Sequence, residues 1–206
     1  MKLKRVFSGL ALLGAVATSA CVTSEGPTSF TSTYPLVRDA GYTIPAIDQS
    51  KIKPEFRRQV VSYPTTEKAG TLIVDTKSKF LFRVMPNGKA MRYGIGVGRD
   101  GFRWSGTAYI GQKKEWPTWT PPASMVRRQP QLRQYAGGMK PGLNNPLGAR
   151  ALYLYKNGRD TIYRLHGTPE WWTIGSNISS GCIRLNNQDV IDLYSHTPTG
   201  TKVIVQ

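Results

Sequence analysis

The sequence predicts a mainly β protein, a β-sandwich or barrel with one or two short helices and one long Pro-rich loop. Three observations predict it. First, two Asn-Gly pairs, Asn87-Gly88 and Asn157-Gly158, each lie between runs of alternating side chains. Asn-Gly supplies the positive φ that a tight hairpin turn requires. Second, runs rich in β-branched residues open and close this stretch, at 71–74 and 201–205, and such residues favour the pleated surface of a sheet. Third, the clearest helical spacing of apolar residues is Val190, Leu193 and Tyr194, at i, i+3 and i+4.

At the N-terminus, Lys2, Lys4 and Arg5 precede an apolar run at 6–16, followed by Ala17-Thr18-Ser19-Ala20. The run is too short to span a bilayer, and the order of charge, apolar run and small residues predicts a signal peptide over 1–20. Cys21 follows the small residues directly, in the manner of a lipobox, so it is the predicted lipidation site. Thr18 stands where such a motif usually has Leu. Val22 rather than Asp follows the cysteine, which favours the outer membrane. Residues 21–33 are rich in Ser, Thr, Gly and Pro and read as a flexible tether. Residues 34–70 form an N-terminal extension with Pro35, Pro45, Pro54 and Pro64, an extended arm with one short helix around 54–61 and no assigned chemistry.

Residues 71–206 form the main domain. A strand at 71–74 leads to a hairpin, 80–85 and 91–97, turning at Pro86-Asn87-Gly88. A further strand is predicted over 102–112. Residues 112–148 carry Pro117, Pro121, Pro122, Pro130, Pro141 and Pro146, and bases outnumber the single acid Glu115. Long loops inside compact domains are usually functional or disordered, and Trp116 and Trp119 argue against disorder, so this one reads either as a lid that binds substrate carboxylates or as cover for a sheet edge. The second hairpin, 151–155 and 161–166, places Ile162, Arg164 and His166 on one strand face by simple alternation. Asn187 then opens a helix with Asp189 in its first turn. His196 lies at the helix end as a capping or surface residue, and 201–205 is the last strand.

The 206 residues allow one main domain with a sizeable core. The formal charge is +16. Loss of residues 1–20 takes 28 basic residues to 25 while the 12 acidic ones stay, so +16 becomes +13. Such a balance suits an anionic partner. The charge is scattered and no nucleic-acid motif accompanies it, and an export signal argues against nucleic acid.

Chemistry concentrates between His166 and Asn186. This stretch holds one of two histidines and one of two cysteines, in His166-Gly167-Thr168 and Ser179-Ser180-Gly181-Cys182-Ile183-Arg184-Leu185-Asn186. A thiol becomes a strong nucleophile when an imidazole takes its proton. Gly181 lets backbone approach a substrate closely, and N–H groups at such a turn can hold an oxyanion. On residue types alone, a buried structural Cys and His would look the same. A Cys21–Cys182 disulfide is the other alternative, and it would leave no nucleophile. One Cys and two separated His make a poor zinc set, so no metal is expected.

His-Gly-Thr followed by Ser-x-Gly-Cys-Ile-Arg-Leu-x-Asn resembles the L,D-transpeptidase (YkuD) family of peptidoglycan-remodelling enzymes, over about residues 71–205. Many members carry His where this chain has Ser180. The resemblance implies a YkuD-like β fold, no cofactor, and acyl transfer from a tetrapeptide stem. Cys182 would be the nucleophile, His166 the proton donor and acceptor, and the Gly167 carbonyl the group that orients the imidazole. Gly181 would form the oxyanion hole. Arg184, Ser180, Trp171 and Trp172 are the candidate substrate contacts, and Arg184 reads equally as a salt-bridge residue. The acceptor is open: a stem amine gives 3–3 cross-links, a protein amine anchors an outer-membrane protein to the wall, and water makes an L,D-carboxypeptidase. The expected place is the periplasm, with membrane contact through a lipid anchor only. A non-catalytic peptidoglycan-binding lipoprotein is the rival from another class. A general cysteine peptidase lacks any local signature.

Overall fold

A computed structural model describes residues 34–98, 104–179 and 181–206. The predicted signal peptide, tether and Cys21, with the disulfide alternative, lie outside the described residues, as does Ser180. In chain order the strands are β1 (Val37–Asp39), β2 (Tyr42–Ile44), β3 (Gln59–Ser62), β4 (Leu72–Asp75), β5 (Phe80–Met85), β6 (Lys89–Gly94), β7 (Val97–Gly98), β8 (Gly106–Glu115), β9 (Arg150–Lys156), β10 (Arg159–Thr168), β11 (Asn177–Ser179), β12 (Ile183–Asn186) and β13 (Lys202–Val205). The helices are α1 (Ala123–Arg128) and α2 (Asn187–Ser195).

Among the described residues, nine strands form one open sheet in the order β12-β10-β9-β8-β13-β4-β5-β6-β3. Its two ends approach each other, because Gly96, just beyond β6, exchanges two backbone hydrogen bonds of 2.9 Å with Arg184 of β12. The mainly β prediction holds, as a curled sheet rather than a closed barrel. Leu72, Leu81, Ile110, Leu152, Leu165 and Leu193 are fully buried in the core between sheet and α2. Each such side chain contributes roughly 1.5–3 kcal/mol relative to exposure.

Both Asn-Gly turns form as predicted. Asn87 and Gly88 have φ of 60° and 64°, and Met85 pairs with Lys89. Asn157 and Gly158 have φ of 51° and 73°, and Lys156 pairs with Arg159. The stripe on α2 also forms, with Val190 and Leu193 fully buried and Tyr194 packed beside them. Its N-cap is Asn186, whose side chain accepts from the Asp189 N–H, one residue before the predicted cap.

Three expectations need correction. The helix around 54–61 is only a 3-10 turn, Pro54–Phe56, and the chain then enters β3, which pairs antiparallel with β6. Pro54 starts the turn, but Val60 and Val61 favour strand, so the sheet takes a strand from upstream of residue 71. The strand sought at 102–112 runs, among the described residues, from Gly106 to Glu115. The segment 112–148 is not all loop: α1 follows Pro122, and a second 3-10 segment, Pro130–Tyr135, starts at a proline. Proline's fixed φ suits a first helical position.

The arm before β3 is packed rather than free. Tyr34, Ile47 and Ile52 cluster with Phe56 and Trp171. The β1–β2 hairpin clamps the base of the 112–148 excursion: Asp39 accepts from both terminal nitrogens of Arg150, at 2.7 and 2.8 Å, and from the Trp116 indole at 2.6 Å. Tyr42 stacks on Trp116 at 3.9 Å between ring centroids.

Candidate active site

The site is built on a parallel pair. β10 and β12 run side by side with Leu165 opposite Ile183 and His166 opposite Arg184. Side chains alternate along a strand, so Leu165, Ile183 and Leu185 enter the core while His166 and Arg184 take the other face. Cys182 closes the turn just before β12. That places it alongside Arg164, whose backbone N–H hydrogen-bonds the thiol, two residues along β10 from His166.

His166 is 5% exposed. Its Nδ1 lies 2.6 Å from the Gly167 carbonyl oxygen. A carbonyl only accepts, so Nδ1 carries the proton and Nε2 keeps its lone pair. Burial drives the imidazole down to a pKa of about 4, with the Gly167 contact opposing and the charges of Arg184 and Arg164 adding. Cys182 is partly exposed. Burial pushes its thiol up, while the Arg164 N–H and guanidinium pull it down. At rest the site therefore holds a neutral imidazole and a neutral thiol. All of β12 separates Cys182 from the start of α2.

Gly181 has φ +124°, a conformation that a side chain would strain. Gly167 is needed for a different reason. A Cβ there would overlap Asn187 Oδ1, which accepts from the Ala149 N–H at 2.9 Å. The first residue of α2 thus packs against the backbone of the imidazole's partner.

Arg184 is buried and bound on both sides. It donates to Glu170 at 2.9 Å and to Thr173 Oγ1 at 2.8 Å, tying the loop after β10 to β12. Trp171 packs with the arm, whereas Trp172 is 63% exposed and meets Trp171 edge-on at 5.8 Å. His196 caps α2 from the surface, bonded through Nδ1 to the Asp192 carbonyl at 2.8 Å. Among the described residues, no three His, Cys, Asp or Glu side chains gather as metal ligands do.

The shared face read for Ile162, Arg164 and His166 fails at its first member. The β9–β10 register shifts between Asp160 and Arg164, and Ile162 has φ +62° and is 76% exposed. This bulge lets Asp160 reach Arg164 in a bidentate pair, 2.7 Å on each arm. Sequence reading missed Arg164 and Asp160 because strand residues four apart do not normally meet. It also missed Glu170 and Asn187, whose roles depend on the pairing of distant segments.

Comparison with known proteins identifies the family. The sequence profile of the L,D-transpeptidase catalytic domain, YkuD, matches residues 69–205. The chain is 32% identical over 150 residues to the probable L,D-transpeptidase YbiS of Escherichia coli, covering 70% of this chain and 47% of that one. It is 32% identical over 151 residues to the probable L,D-transpeptidase ErfK/SrfK of the same organism, with 70% and 46% covered. The chain thus spans about half the length of these relatives. Among solved structures, a probable carnitine operon oxidoreductase caia from Brucella melitensis is 44% identical, with a TM-score of 0.53, over 77% of this chain and 99% of that one. By its matched domain and its relatives, this chain belongs to the YkuD family of L,D-transpeptidases.

Proposed function

We propose that the chain is a peptidoglycan L,D-transpeptidase working through a Cys182 thioester. The observation that carries this reading is the 2.6 Å contact between His166 Nδ1 and the Gly167 carbonyl, which leaves Nε2 as a base on the strand beside Cys182. His166 takes the thiol proton, and the sulfur attacks the carbonyl of the third stem residue, meso-diaminopimelate by family resemblance. The N–H groups of Gly181 and Cys182 hold the oxyanion. His166 then gives its proton to the departing D-alanine amine, and the C–N bond breaks to leave a thioester. An acceptor amine attacks that thioester, passes a proton through His166, and releases the thiol.

Arg184, engaged by Glu170 and Thr173, positions the loop that carries Trp171 and Trp172. It serves the substrate indirectly, while Trp172 and Ser180 supply direct contacts. The acceptor is a stem amine or an amine of an outer-membrane protein, and the enzyme acts in the periplasm from a lipid anchor at Cys21. A neutral pair at rest means that His166 acts as a general base during attack, rather than as half of a standing thiolate–imidazolium pair.

Intact-mass measurement after incubation with a tetrapeptide muropeptide tests the reading. A thioester adduct, with D-alanine released, is expected on the wild type and absent from Cys182→Ala. No adduct, with muropeptide still bound, would replace the enzyme with a wall-binding lipoprotein. Addition of amines or of water alone then separates transpeptidase from L,D-carboxypeptidase.

A further inference from the structure

The arm and the loop between His166 and Cys182 together wall a groove of about 180 Å³. Lys51, Lys53 and Phe56 line the arm side, and Trp172, Gly175 and Ser176 line the loop side. Both walls are fixed. The Phe56 ring lies over Gly175, and its backbone lies against Gly94, where an added Cβ would fall 2.5 Å from the Phe56 oxygen. Two glycines thus form a socket for one arm residue. The loop wall is held by the Gly175 N–H on the Ile95 carbonyl at 3.0 Å, the Val97 N–H on the Ser176 carbonyl at 3.1 Å, and Arg184 bound to Thr173.

The lining chemistry is cationic and aromatic. Lys51 and Lys53 are exposed, and among the described residues no carboxylate lines the groove. Glu170, the acid of the adjoining loop, is held by Arg184. Asp48, near Lys51, is occupied by the Ser50 N–H and hydroxyl at 3.0 and 2.7 Å. Trp172 offers an exposed ring braced by Trp171. An aromatic surface flanked by two ammonium groups complements a chain that carries carboxylates beside flat amide or hydrocarbon segments.

We propose that this groove is the acceptor subsite and that it takes a peptide bearing carboxylates near its attacking amine. The proposal rests on the acyl-transfer reading. A thioester mechanism needs two peptides in turn, and the donor's carbonyl must lie at Cys182 on the β10–β12 face. No residue of β10 or β12 lines the groove, so it stays open while the thioester occupies the thiol. Ser176, at its edge, directly precedes β11, which ends two residues before Gly181, so one short strand joins the groove to the nucleophile's segment.

Two arms test it. In the first, full-length Cys182→Ala is titrated with a stem peptide carrying free carboxylates and with its carboxamide counterpart, by calorimetry. The acidic peptide is expected to bind about three- to tenfold more tightly, and the Lys51→Gln/Lys53→Gln pair is expected to abolish that preference, the scale of two exposed charge contacts. In the second, the acceptor concentration for half-maximal transfer is expected to rise by a similar factor in the double variant, while the donor thioester still forms. An unchanged carboxylate preference and unchanged half-saturation would overturn the subsite. So would loss only of binding to anionic phospholipid vesicles, which would mark the face as a membrane contact. Absence of any thioester in the wild type would instead remove the acyl-transfer reading, and the first arm would still report on the groove.

Discussion

Arg164 reaches the thiol because β10 is broken. At Ile162 a β-branched residue sits at φ +62° with its side chain in solvent, a conformation that costs of order 1–3 kcal/mol unless surrounding structure enforces it. Here the Ile162 N–H donates to Asp160 Oδ1 at 2.8 Å, and the Tyr163 N–H donates to Thr161 Oγ1 at 3.2 Å. The return is a guanidinium gripped by Asp160, stacked 4.2 Å over Tyr153, and next to Cys182 through its own backbone. Its charge favours thiolate and disfavours imidazolium, as the directions at Cys182 and His166 indicate. Arg164→Met should therefore slow iodoacetamide alkylation of Cys182 at pH 7 by roughly three- to tenfold, since only the thiolate reacts. Asp160→Asn should speed it, because the guanidinium then loses its counter-charge. Equal rates in all three proteins would show that the guanidinium does not reach the thiol.

At the scale of elements, the excursion over 112–148 divides into a held base and a bare tip. The base is anchored by Trp116 and Arg150 on Asp39, and by buried Asn145, whose amide donates to the Pro117, Met139 and Lys140 carbonyls. The tip is α1 and the following 3-10 segment, and neither contains a buried residue. Arg127, Arg128 and Arg133 stand exposed on it. Such a segment adds little to stability, so its charge and position are its asset. Replacing 127–135 with a short Gly-Ser linker should shift Tm by less than about 4 °C, the effect of ~1 kcal/mol in a chain of this size. It should lower transfer to a peptide acceptor by about tenfold or more, the scale of lost substrate positioning. Parallel losses of rate and Tm would instead make the tip a cover for the sheet edge.

For the whole molecule, what is legible in sequence is what local chemistry decides. The Asn-Gly hairpins and the α2 stripe need only neighbouring residues, and the paired His-Gly-Thr and Gly-Cys motifs carry their own signature. The pairing of β10 with β12 that brings those motifs together is not local, nor is the docking of β3 on β6. The arm's contacts are equally hidden: Tyr34 and Arg58 reach Asp189 at 3.2 and 3.5 Å from the far end of the chain. Protonation is the least legible property, because burial sets it, and it leads to a test. Burial raises the Asp189 carboxyl to about 7, against the pull of Arg58, Asn186 and Tyr34. The folded protein then keeps a proton between pH 3.8 and 7 that the unfolded chain gives up. Its contribution to stability is full below 3.8 and is lost as pH rises through 7. His166 does the reverse. Held at about 4, it refuses a proton that the unfolded chain binds up to 6.5, so its contribution is present above 6.5 and is lost as pH falls through 4. The two slopes oppose each other over the same window, and their nearly equal displacements offset. Asp189→Asn should therefore expose a Tm that rises between pH 4.5 and 6.5, by about 5–10 °C relative to wild type. His166→Gln should expose one that falls by a similar amount. Identical Tm–pH profiles for wild type and Asp189→Asn would mean that the buried carboxyl is ionised in the fold, with Arg58 rather than a proton as its partner.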